Sequence, residues 1–84
     1  MKQCMITFRS VTPAQRGERA LKRAGLDCAL QRTPRKVEEQ GCGYCLMIAC
    51  AHAPQAVGIL QDGQIPFRKV YLYRKEGQLE EMQL

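Results

Sequence analysis

The chain has 84 residues, 45% of them apolar and 25% charged, the proportions of an ordinary soluble protein forming one small domain over residues 1–84. Thirteen Lys and Arg against eight Asp and Glu leave a net charge of +5, which fits an anionic partner but also serves solubility. No apolar run nears the ~18 residues of a bilayer span. Residues 1–9 are too short and too polar for a secretory segment, so a cytoplasmic protein without membrane contact is expected.

Residues 2–9 alternate, with Cys4, Ile6 and Phe8 on one face and Met5, Thr7 and Arg9 on the other, the period of a strand. Thr12 followed by Pro13 reads as an N-cap with proline at the first helical position. Ala14, Gly17, Ala20, Leu21 and Ala24 then form a helical stripe, with Arg16, Arg19, Lys22 and Arg23 on the remaining surface. Gly25 is placed to end that helix in the left-handed conformation. Residues 28–32 read as a short second strand stopping before Pro34, and residues 33–41 as a charged loop.

Residues 43–51 are apolar throughout, and periodicity alone does not separate strand from helix in such a run. Its length, and Pro54 placed to begin a new helix, favour a strand. Residues 54–60 carry Ala56, Val57, Ile59 and Leu60 in helical register, ended by Asp62 and Gly63. Residues 68–74 alternate again, Val70 and Leu72 against Tyr71 and Tyr73, as a last strand, and the tail beyond Gly77 is expected to be frayed or a short helical turn. The order β-α-β-β-α-β with right-handed crossovers predicts an α+β fold of ferredoxin-like type. That plait has a four-stranded antiparallel sheet with two helices on one face.

The stretch over residues 33–45 concentrates the chemistry. Five cysteines, an odd number without a repeating framework, argue against a disulfide-stapled domain, and thiols are expected to be reduced. Cys42 and Cys45 form a C-x-x-C, which can be a redox pair, half a metal site or coincidence. On a strand their odd separation sends them to opposite faces. Cys50 would lie about 26 Å from Cys42 at ~3.3 Å per residue, too far to join it on a metal with His52. No metal and no cofactor are therefore expected. Cys4 and Cys28, in apolar strand positions, read as small core residues, and His52 as a solvent-facing or capping residue.

Cys42 is then the thiol of interest. Gly41 and Gly43 remove steric cover around it and allow backbone amides to face an anion. Arg35 and Lys36 on the same loop favour a thiolate, whereas Glu38 and Glu39 oppose it. A loop longer than the two to five residues usual in a hairpin tends to carry function, but a structural cysteine in a glycine-rich turn stays open as the alternative. With one histidine, no Ser-His-Asp set can be built, and no phosphate-loop or dinucleotide motif occurs, so conventional catalysis is not expected.

The element order, with Phe8-Arg9-Ser10, the helix from Ala14 to Ala24, Thr33-Pro34-Arg35 and Cys42-Gly43, resembles a family of small bacterial domains described as selenium/sulfur carrier-like. The resemblance implies a chalcogen-bearing role for Cys42 as persulfide or selenosulfide, with Arg35 as its neighbour, Pro34 and Gly43 shaping the loop, and Cys45 as a secondary thiol. It also implies donor and acceptor proteins as partners. Two alternatives come from the residues: a non-catalytic interaction or regulatory module forming a homodimer through an open sheet face, and an RNA-binding module using Arg16, Arg19 and Arg23. The strands lack the aromatic-glycine pattern that stacks bases, so nucleic acid is not the expected partner.

Overall fold

The computed structural model describes residues 2–33, 43–74 and 79–82. Strand β1 (Gln3–Phe8) leads into helix α1 (Val11–Arg23), followed by β2 (Ala29–Arg32) and β3 (Tyr44–Ala49). A 3-10 turn (Cys50–His52) opens helix α2 (Ala53–Asp62), and β4 (Val70–Tyr73) and β5 (Leu79–Met82) complete the order. The strands form one antiparallel sheet in the order β2-β3-β1-β4-β5. The expectation of four strands is thereby corrected to five. Nothing in the helix length or polarity of the described residues suits a membrane crossing.

The alternation in β1 sorts the two sides of the sheet. Cys4, Ile6 and Phe8 face the helices, and the register Cys4 to Ile48 and Ile6 to Leu46 places the matching residues of β3 beside them. Ala14 and Leu21 of α1 and Ala53, Ala56, Val57 and Leu60 of α2 close over this layer. Phe8, Ile6, Leu21, Leu46 and Leu60 are fully buried, each removing roughly 1.5–3 kcal/mol of apolar exposure. On the other face Met5, Cys45 and Met47 are also buried, with Tyr71 and Leu79 packed against them. Among the described residues only Tyr73 is a large apolar side chain left exposed, so the open apolar sheet face required by the dimer reading is not present there.

Both helix ends use backbone chemistry that the residue order determines. At the end of α1, Gly25 has φ 83°. Its N–H donates to Lys22 O at 3.0 Å, and that of Leu26 to Leu21 O at 2.9 Å, with both leucines buried. This is a Schellman closure. The start of α1 differs from expectation: Ser10, in extended conformation, is the N-cap, so Pro13 is the third helical residue rather than the first. Proline is tolerated there because N–H groups of the first turn have no intrahelical partner.

Two boundaries in the second half also move. The apolar run stops being a strand at Ala49, because its partner β1 begins at Gln3 and leaves Cys50 N only the Lys2 carbonyl, at 3.0 Å. The tail, expected to fray or coil, instead adds β5 to β4, pairing Val70 with Met82 and Tyr73 with Leu79. Exposed ion pairs reinforce this edge: Arg74 Nε donates to Glu80 at 3.0 Å, and Lys69 Nζ lies 3.1 Å from Glu81.

Candidate functional site

Of the residues expected to form the site, Arg35, Gly41 and Cys42 lie outside the described residues. Gly43 and Cys45 do not. Gly43 is buried, and its carbonyl accepts a 3.0 Å hydrogen bond from Thr33 N, which closes the mouth of the β2–β3 pair. Cys42 is therefore the residue immediately before a fixed point. Tyr44 pairs with Phe8, so this mouth lies at the end of the central strands where α1 also begins.

Cys45 sits opposite Thr7 on one side and Gln31 on the other, on the sheet face away from the helices. It is fully buried, and burial pushes its thiol pKa up from the ordinary value. The Thr33 hydroxyl acts in the opposite direction and more weakly. Thr33 Oγ1 is buried without a partner at hydrogen-bond geometry among the described residues, so its contact with the sulfur is a poor one. A protonated, enclosed thiol is a weak nucleophile.

Cys28 precedes β2, half-buried, with its sulfur 3.8 Å from the Glu18 carbonyl. Burial, followed by the Glu18 charge, raises its pKa and outweighs the lowering by Lys22. Neither of these two free thiols is activated.

The remaining described pair corrects an expectation. Cys4 and Cys50 are joined as a disulfide, with Cα atoms 5.0 Å apart, rather than being an isolated core residue and a strand-end thiol. Cys4 is wholly buried, its sulfur 3.4 Å from Met82 Sδ, and Cys50 is half-buried. The signal was present in principle: once Cys4 pairs with Ile48, Cys50 falls on the same face two residues along. Register across strands, however, is not readable from one segment's alternation. His52 is exposed at the N-cap of α2 and makes no capping hydrogen bond. No cluster of three or more His, Cys, Asp or Glu suited to a metal occurs among the described residues.

No curated protein and no solved structure matches the chain. A family model described as "Putative Se/S carrier protein-like" matches residues 3–72, from the start of β1 into β4. With most of its length covered, the chain belongs to the Se/S carrier protein-like family.

Proposed function

We propose that this protein carries sulfur or selenium on Cys42 and hands it from a donor protein to an acceptor protein. Membership in a Se/S carrier-like family is the observation that carries this reading. The state of the other thiols supports it. Cys4 and Cys50 are bonded to one another, and Cys28 and Cys45 are held protonated by their surroundings. Cys42 is the remaining one of the five cysteines. Its neighbour Gly43 belongs to the fixed strand mouth, a rigid support for a thiol presented from the preceding residue. The order β2-β3-β1-β4, with both helices against one face, further supports reading the frame as a ferredoxin-like plait extended by β5.

Transfer requires no net redox change. The Cys42 thiolate attacks the outer sulfur of a donor persulfide, a new S–S bond forms on Cys42, and the donor thiolate leaves with the electron pair of the broken bond. The acceptor thiolate repeats the exchange. Arg35 stabilises the thiolate, and Gly41 and Gly43 leave room for the approaching sulfur. Cys45 stays a packed neighbour and not a resolving partner, consistent with its burial.

Incubation with a low-molecular-weight persulfide followed by intact-mass measurement tests this. One addition of ~32 Da per chain is expected, lost in Cys42→Ser and kept in Cys45→Ser and Cys28→Ser. An addition that survives Cys42→Ser, or none in the wild type, overturns the reading. The spectrum of folded Cys42→Ser should match that of the wild type.

A further inference from the structure

A second feature of defined chemistry lies at the start of α1. A cleft of about 490 Å3 opens between that first turn and the segment leading into β4. Arg9, Arg16 and Arg68 line it, together with the hydroxyl residues Ser10 and Thr12 and the half-buried ring of Phe67. No carboxylate is among its lining residues. The ion pairs of the described residues join Lys22 to Glu18, Lys69 to Glu81 and Arg74 to Glu80, and none of them uses Arg9 or Arg16. Positive charge here is concentrated, concave and unbalanced.

The walls are fixed by the sheet. Arg68 N donates to Thr7 O at 2.7 Å, and Thr7 N to Lys69 O at 2.8 Å. The Thr7 hydroxyl accepts from Lys69 N at 3.1 Å, and Thr7 is buried. The segment bearing Phe67 and Arg68 is thus clamped to the end of β1, from which Arg9 and Ser10 continue. On the opposite wall, the first turn of α1 contains no acidic residue, and Ser10 makes no side-chain cap hydrogen bond. Pro13 explains the second point, since it removes the N–H at the third helical position that an N-cap side chain often takes. The N–H groups of Val11 and Thr12 remain for another acceptor.

We propose that this cleft binds a phosphate-type dianion, either free or as the terminal group of a small phosphate monoester. Arg9 and Arg16 contribute planar guanidinium donors that match two tetrahedral oxygens. The hydroxyls of Ser10 and Thr12 and the open end of α1 serve the others, aided by the helix dipole. Arg68 adds charge from the clamped wall, and Phe67 provides the apolar flank that an ester substituent would meet. The site contains no residue of the Cys42 reading and stands or falls separately from it.

Titration of the 15N-labelled full chain with inorganic phosphate, at ionic strength held constant with sodium chloride, tests the site. Saturable shifts are expected at the amides of Val11, Thr12, Ala14 and Arg68. Arg16→Gln and Arg9→Gln should each weaken binding on the order of tenfold, as loss of a charge-assisted pair implies. Arg19→Gln, on the same helix but outside the cleft, should leave it unchanged. Phenyl phosphate separates the two sources: tighter binding, lost in Phe67→Leu, identifies a monoester, and equal affinity identifies the free anion. Shifts that do not saturate, or an equal loss in Arg19→Gln, would mark diffuse charge and overturn the proposal. Arg9 and Arg16 are exposed, so an unchanged spectrum without ligand is expected for both variants.

Discussion

Gln64 has φ 55°, in the left-handed region that non-glycine residues enter at a cost of roughly 1–2 kcal/mol. It is there because α2 closes one residue later than its glycine. Gly63 is the C-cap, and Gln64 takes the position after it, with Gln64 N to Gln61 O at 3.1 Å and Ile65 N to Leu60 O at 2.9 Å. Gln64→Gly is expected to stabilise the protein by about 0.5–1 kcal/mol, read as an upward shift in thermal midpoint of several degrees. No change would mean that Gln64 holds this conformation without strain. At this scale the sequence was legible where one residue type settles the geometry. Gly25 was placed as a left-handed terminator from its position alone, and it is one. Gly63 was less readable, because either it or its neighbour could take the turn and burial of Ile65 decides the choice. The thiols were harder still, since a cysteine's reactivity depends on what encloses it. Cys45 looks like half of a C-x-x-C on paper and is a buried, protonated side chain in the fold.

At the scale of elements, α1 approaches the sheet at Gly17. A Cβ built there would lie 3.0 Å from Leu60 Cδ2, 3.2 Å from Phe8 Cζ and 3.3 Å from Leu46 Cδ1. One glycine thus lets a helix, a second helix and two central strands meet. Any gain in helix propensity from replacing it is about 1 kcal/mol, whereas a β-branched side chain must displace three buried neighbours. Gly17→Val is expected to destabilise by about 1–3 kcal/mol, measurable by urea denaturation with an unchanged m-value. Stability at or above wild type would show that the contact relaxes freely. The same position explains why the small-residue stripe of α1 was readable as a buried face from the sequence: Ala14, Gly17 and Leu21 recur at helical spacing. β5 was not readable. Its four residues, Leu79 to Met82, place two glutamates between two apolar ends, a pattern without strong period of either kind. Pairing with β4 and its ion pairs, not its own propensity, makes it a strand.

For the molecule as a whole, the size of the core sets how much a single cross-link matters. A chain of 84 residues buries a limited apolar surface and has a small margin of stability. The Cys4–Cys50 disulfide joins the first strand to the turn that opens α2, across a sequence separation of 46. Closing a loop of that length restricts the unfolded chain, and such a link contributes about 2–4 kcal/mol. Cys50 is the half-buried member, so an incoming thiolate meets its sulfur first, leaving Cys4 as the departing thiolate beneath Met82. Reduction by excess dithiothreitol should lower stability by that amount. The Cys4→Ala/Cys50→Ala double variant should sit near the reduced wild type and show no response to reductant. Cys4→Ala alone adds a buried gap, so the double variant compared with and without dithiothreitol is the control that isolates the bond. Equal stability of the wild type in oxidising and reducing buffer would mean that the two sulfurs contribute as packed neighbours and not as a cross-link. Cys42 lies outside this link, so reducing it should leave persulfide loading on the loop thiol intact as long as the fold persists.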